Sequence, residues 1–314
     1  MRMNRREVVG GLSAAGVIAL AGFPDRASAI AKRDSFTIIP RDAHDKLGEG
    51  IIWSARHNAI FWVDIEQPTL WMMDYTTGGI RSWPMPELIC WIVERKDHDD
   101  FIVGMRSGFC TLKLDPLEIK VIGNLEPGVA GNRMNDAKVD RWGRIWAGTM
   151  GKAGGSLYRI DPDLTWSKQD TGYQVANGPT FSPDGNIMYH NDTPRRLVYA
   201  MDMNADGSLT NKRVFIKFEQ EWGVPDGMTT DAEGCLWICC WDGSRISRFR
   251  PDGTLDRFIS LPATRITNCV FAGPKLGTLF VNSASTGTTG QKDAGSLFRL
   301  QPGAKGLLAN KFAG

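Results

Sequence analysis

Histidine is scarce, with 4 residues in 314, and His44, His57, His98 and His190 show no ligand or relay spacing. No G-x-S-x-G motif is present, so neither a nucleophile elbow nor a Ser–His–Asp set is readable. The formal charge of +2 leaves no excess of one sign, which excludes the electrostatic footprint of a nucleic-acid binder. The cysteines (Cys90, Cys110, Cys235, Cys239, Cys240 and Cys269) lack metal-type C-x-x-C spacing. They lie in apolar runs and read as buried thiols acting as small hydrophobes, with a Cys90–Cys110 bridge left open. Beyond the N-terminus no apolar stretch approaches the length of a membrane span, and no helix-period segment stands out.

What the chain has is glycine and tryptophan, at 35 and 11 residues. Together they favour short strands and tight turns. The N-terminus is set apart. Arg5-Arg6 precedes an apolar stretch from Val8 to Phe23, and Ala27-Ser28-Ala29 offers a small-residue cleavage site. Residues 1–29 therefore read as a signal peptide of the twin-arginine type, which places residues 30–314 in the bacterial periplasm as one domain.

That domain repeats one unit, a turn of Asp, Pro or Gly followed by two apolar-aromatic strands. Thr180-Phe181-Ser182-Pro183-Asp184-Gly185-Asn186-Ile187-Met188-Tyr189 and Met228-Thr229-Thr230-Asp231-Ala232-Glu233-Gly234-Cys235-Leu236-Trp237 are two copies. Each reads as a hairpin whose glycine supplies a positive φ. Asn135 and Asn177 are 42 residues apart, Asn177 and Asp226 are 49 apart, and Asp226 and Asn268 are 42 apart. A period of that size built from strands predicts a β-propeller, and the spacing predicts an all-β fold of six blades. A strand near Ser35–Ile39 is expected to complete the last blade and cover its edge.

At the head of each unit stands a polar residue beside Gly or Pro: Glu49, Asn135-Asp136, Asn177, Asp226 and Asn268. Singly each is an ordinary turn residue. At equivalent positions of a propeller they converge on the axis, where carboxylates and amides form a set of hard oxygen ligands.

The segments Leu47-Gly48-Glu49-Gly50, Asn132-Arg133-Met134-Asn135-Asp136, Asn177-Gly178-Pro179, Pro225-Asp226-Gly227 and Thr267-Asn268-Cys269 resemble, in order and spacing, the regucalcin/gluconolactonase family of sugar-lactone hydrolases. The resemblance runs from about Leu47 to Leu300. It implies Glu49, Asn177 and Asp226 as ligands of one divalent metal ion. Ca²⁺ is the first candidate, with Zn²⁺, Mn²⁺, Mg²⁺ and Fe²⁺ as others. It also places Arg133 and Asn135 at the substrate, a small-molecule sugar lactone, and gives Asp226 the second task of orienting or deprotonating water. Pro179 and Asn268 depart from the family's usual residues at those positions. Other readings of the same residues are a different ester or lactone hydrolase on a propeller and a non-catalytic, metal-dependent sugar-binding propeller.

Overall fold

The computed structural model describes residues 36–314, so the signal-peptide reading of residues 1–29 lies outside the described residues. Tight turns cut the chain into short antiparallel strands. The residue at the turn corner takes the left-handed region, as Asn58 does at φ 47° and Gly185 at φ 68°. β1 (Phe36–Ile38) is followed by β2 (Gly48–Ser54), β3 (Ala59–Asp64), β4 (Thr69–Asp74) and β5 (Ile80–Pro84). Next come β6 (Ile89–Glu94), β7 (Phe101–Met105), β8 (Phe109–Lys113) and β9 (Glu118–Gly123). The middle of the chain holds β10 (Arg133–Val139), β11 (Ile145–Ile160), β12 (Trp166–Phe181), β13 (Ile187–Asp192), β14 (Leu197–Met203) and β15 (Leu209–Lys217). The last part holds β16 (Val224–Thr230), β17 (Leu236–Trp241), β18 (Arg245–Phe249), β19 (Leu255–Ser260), β20 (Arg265–Ala272), β21 (Thr278–Ala284) and β22 (Phe298–Leu300).

The expected all-β propeller needs one correction. The strands form five sheets, a five-blade arrangement, and not six separate blades. Four sheets have four strands each, and the remaining one runs β10-β11-β12-β13-β14-β15. The reason lies in β11 and β12, each 16 residues long. β11 continues through the glycine-rich Gly151–Gly155 stretch, and its partner β12 pairs first with β11 and then with β13. Two repeat units thus share one hydrogen-bonded sheet, which supplies two channel-lining strands. The inner strands β2, β6, β10, β12, β16 and β20 touch one another in a closed ring. β1 pairs with β22, so a strand from the start of the domain completes the sheet at its end. That closure covers an edge that would otherwise present unpaired backbone.

Apolar residues fill the space between neighbouring sheets. Trp62, Trp91, Trp146 and Trp237 are fully buried. Each such ring removes roughly 200 Å² from water, contributing about 5 kcal/mol before ordering costs. For two of them an aspartate at the preceding turn accepts the indole N–H, Trp62 Nε1 donates to Asp45, and Trp91 Nε1 has no partner among the described residues. Trp146 Nε1 donates to Asp140 Oδ2 at 2.9 Å, and Trp237 Nε1 donates to Asp231 Oδ2 at 2.9 Å. The same carboxylates take the turn's backbone N–H groups and a buried guanidinium, Arg144 for Asp140 and Arg248 for Asp231. All six cysteines are buried and free. No Cys90–Cys110 bridge forms, because β7 lies between β6 and β8. No helix among the described residues is long and apolar enough to cross a membrane.

Replacing Asp231 by alanine leaves the Trp237 N–H and Arg248 Nε without their partner in the core, while the guanidinium keeps Glu233 and Asp256. The expected loss is about 1–3 kcal/mol of unfolding free energy. It would be read as a lowered urea midpoint with an unchanged m-value.

Candidate active site

A β-bulge marks the head of each polar inner strand. Residues 50–51 oppose Trp62 alone, 135–136 oppose Gly148, 178–179 oppose His190, 226–227 oppose Cys239 and 267–268 oppose Asn282. The extra residue bends the strand and re-aims side chains that simple alternation would turn away from the axis. A local hydrogen bond recurs there. The side-chain oxygens of Glu49, Asp136, Asn177 and Asn268 each accept the N–H of the residue that follows. Gly227 leaves room for this arrangement. A Cβ at that position would meet the Asn268 amide at 2.4 Å.

The polar side chains gather in two buried hydrogen-bonded sets, around Asn268 and around Asn177, with a third around Asn135 at the rim. Asn268 Nδ2 donates to Glu49 Oε2 at 2.9 Å and to Asp136 Oδ2 at 3.2 Å. Asn177 Nδ2 donates to Asp226 Oδ1 and, at 3.1 Å, to Thr193 Oγ1. Asn191 Nδ2 holds the Asp226 carbonyl at 2.8 Å. Arg133 Nη1 donates to Asn135 Oδ1 at 3.1 Å, and Asn135 Nδ2 donates to Ala176 O at 3.1 Å. Glu49, Asp136 and Asp226 are all buried.

Burial dominates the acidities. It raises Glu49 to about 8, with the Asp136 charge adding to the effect and Asn268, Gly50 N–H and Arg133 opposing it. Burial raises Asp136 to about 6, opposed by Lys138, the Ala137 N–H and Asn268. Asp226 is pushed well above the usual carboxylate range by burial first and by the Glu49 charge second. Glu49 therefore holds its proton at neutral pH unless a positive charge joins it, Asp226 is biased the same way, and Asp136 releases its proton at a somewhat lower pH.

The residues expected from sequence are brought together. Asn177 and Asp226 are in direct contact, Glu49 reaches Asp136 through Asn268, and Arg133 is bonded to Asn135 at the rim. The pairing register refines their equivalence. Glu49 and Asn177 stand just before the bulge, Asn135 and Asp226 are its first residues, and Asp136 and Asn268 are its second. Asp136 is the member of the cluster that counting along the repeat passes over in favour of Asn135. Its adjacency to Asn135 in one acidic-amide pair is the signal that marks it.

The chemistry of the donors fits a divalent cation. They comprise three carboxylates that lack sufficient positive charge, with the amides of Asn177 and Asn268, which here turn Nδ2 towards the carboxylates and Oδ1 towards the next backbone N–H. Among the described residues, the one group of three acidic or thiol side chains whose ligand atoms all lie within 4.8 Å of one another is elsewhere, at Asp231, Glu233 and Cys235, so the channel carboxylates are more widely spread than these. Arg248 already lies on it, 2.7 Å from Asp231 Oδ2 and 2.5 Å from Glu233 Oε2. Those two carboxylates have their counter-charge in the guanidinium. Two cavities flank the channel. One of about 260 Å³ lies between the far ends of the inner strands and residues 307–310, walled by Ile52, Val139, Phe181 and Leu308. The other, about 240 Å³, includes Arg133 and so adjoins the carboxylate network.

The chain is similar to known proteins over most of its length. The sequence model of the SMP-30/Gluconolactonase/LRE-like region matches residues 47–285. The chain is 32% identical over 279 residues to 6-deoxy-6-sulfogluconolactonase of Pseudomonas putida, covering 85% of this chain and 95% of that protein. It is 31% identical over 286 residues to regucalcin of Gallus gallus, covering 86% and 95%. A solved structure of regucalcin from Agrobacterium tumefaciens, described as a calcium-binding protein, superposes with a TM-score of 0.84 at 23% identity, covering 89% of this chain and 97% of that one.

The raised acidities give a pH signature in the metal-stripped protein. A folded carboxyl with a raised pKa keeps a proton that the unfolded chain releases. Its stabilising contribution is complete below the ordinary value of 4.5 for Glu49 and is lost as pH climbs through about 8. The melting temperature of metal-free protein is therefore expected to fall across that window. Glu49→Gln should flatten much of the fall, and a flat profile in the parent protein would show that these acids are not destabilised by burial.

Proposed function

The chain belongs to the SMP-30/Gluconolactonase/LRE-like family, whose sugar-lactone hydrolases open cyclic esters, and we propose that it does so with Glu49, Asn177 and Asp226 holding one divalent cation beside Arg133 and Asn135. The enzyme is a hydrolase acting on carboxylic ester bonds. The observation that carries the assignment of residues is the buried cluster of three carboxylates and two amides at the bulges of the inner strands.

When bound, the cation polarises the lactone carbonyl as a Lewis acid and offsets the mutual repulsion of the carboxylates. Ca²⁺ heads the candidates because every donor is a hard oxygen, with Mg²⁺, Mn²⁺, Zn²⁺ and Fe²⁺ behind it. The protein's own groups do the rest. Asp226 accepts a proton from water as that water adds to the carbonyl carbon. It returns the proton to the ring oxygen as the bond from carbon to that oxygen breaks. The product is the open-chain hydroxy acid. Asp226 must be ionised for this task; burial raises its pKa first, and neutralising Glu49 and Asp136 removes the further rise that their charges add. Arg133 presents a fork of donors to the sugar away from the reacting carbonyl, and its bond to Asn135 holds both side chains at the rim. Asp136 acts from behind, sharing the Asn268 amide with Glu49. Export to the periplasm belongs to the same reading and is supported by Arg5-Arg6, the apolar stretch from Val8 to Phe23 and Ala27-Ser28-Ala29.

The test is pH-monitored hydrolysis of a panel of aldonolactones by chelator-stripped protein before and after each divalent ion. Acid release should depend on the ion and fall by about a hundredfold or more in Asp226→Ala. Ion binding without turnover above the spontaneous rate would replace this reading with a sugar-binding propeller.

A further inference from the structure

The cavity beside the channel mouth carries charge that the hydrolysis of a neutral lactone does not call for. It lies between the β7–β8 turn, which supplies Arg106, the start of β10, which supplies Arg133, and the connection from Asn124 to Asn132. Its one carboxylate is Glu126. Asn132 Nδ2 donates to Glu126 Oε2 at 2.9 Å, Thr149 Oγ1 to Oε1 at 3.0 Å and the Tyr158 hydroxyl to Oε1 at 3.1 Å. These bonds turn Glu126 into the cavity wall. Arg106 is exposed, and its backbone N–H is tied to Leu88 O at 3.0 Å, which fixes the base of the side chain. Arg133 uses Nη1 for Met134 O and Asn135 Oδ1. Among the described residues, neither guanidinium is paired with a carboxylate.

We propose that this cavity is a subsite for an anionic group on the lactone, remote from its carbonyl, held by Arg106 together with Arg133. The proposal rests on the lactonase reading and deepens it by naming the substrate class: aldonolactones with a phosphate, sulfonate or carboxylate at the far end of the sugar. Two cations beside a carboxylate network would repel a cationic ligand and gain nothing from a neutral one. An anion paired with a guanidinium makes charge-assisted, bidentate bonds. The arrangement also orients the substrate. With its anion in the cavity, the lactone presents its other end to the channel and to Asp226.

The experiment compares glucono-1,5-lactone with its 6-phosphate and with the lactone bearing a 6-carboxylate, using metal-loaded parent protein, Arg106→Gln and Arg106→Lys. In the parent, kcat/KM for both charged lactones should exceed that for the neutral one by about tenfold or more. The ratio should fall towards one in Arg106→Gln, be partly kept in Arg106→Lys, and shrink with added salt as screening predicts. A preference for the phosphate alone would narrow the subsite to tetrahedral anions. Equal kcat/KM for charged and neutral lactones in the parent overturns the subsite while leaving the lactonase reading standing, as does an equal loss on both in Arg106→Gln. Calorimetric binding of 6-phosphogluconate against gluconate tests the subsite without turnover. Tighter binding of the former that is lost in Arg106→Gln supports it even if no lactone is hydrolysed, and equal binding overturns it. A thermal melt of each variant confirms that the fold is retained.

Discussion

Like charges gathered around one axis are the constraint on which this molecule turns. Glu49, Asp136 and Asp226 are buried within a single ring of strands, and water does not solvate them. Left alone, such a set holds protons or pushes the strands apart. Each carboxylate is therefore supported locally, by the N–H of the next residue in its bulge or by an amide from a neighbouring strand. What those dipoles leave uncompensated is the part that, on the proposed reading, a bound cation would supply.

Holding that cluster requires a frame that does not relax. The closed ring of inner strands provides it, and the pairing of β1 with β22 removes the edge at which the ring would open. Behind the ring, the Asp–Trp–Arg units around Asp140 and Asp231 lock hairpin turns to the core. Because the strands are fixed at their outer ends, the bulges at their inner ends can bend without the sheet slipping. Stability and site geometry are linked through this division of labour along each strand.

The two ends of the channel differ in kind. Carboxylates, amides and Arg133 gather at the end where the bulges lie, whereas the opposite end is lined by apolar residues mixed with Glu94, Lys138 and Arg141, beside residues 307–310. Charge also changes across the polar mouth, from buried acids on the axis to the unpaired guanidinium groups of Arg106 and Arg133 beside it. A ligand with a polarisable carbonyl at one end and a negative group at the other matches that gradient.

Much of this was legible in the sequence because it is local. The hairpins follow from turn residues such as Pro183-Asp184-Gly185 and from the apolar-aromatic runs that flank them. The period between Asn135, Asn177, Asp226 and Asn268 is enough to set a propeller and to gather Glu49, Asn177 and Asp226 on one axis, since a regular repeat carries equivalent positions to equivalent places. Two matters were decided only by tertiary pairing. Whether Gly151–Gly155 breaks a strand or lies within one depends on its partner. With β12 alongside, β11 continues, and the expected six separate blades become five sheets. Which residue of Asn135-Asp136 joins the acidic network depends on the bulge register, because one extra residue opposite Gly148 shifts the side chains that reach the axis. Sequence by itself determined the elements and their recurrence, through turn chemistry and hydrophobic pattern. Hydrogen bonding between strands far apart in the chain decided the count of sheets and the membership of the site, because register is a property of pairs of strands and not of either one alone.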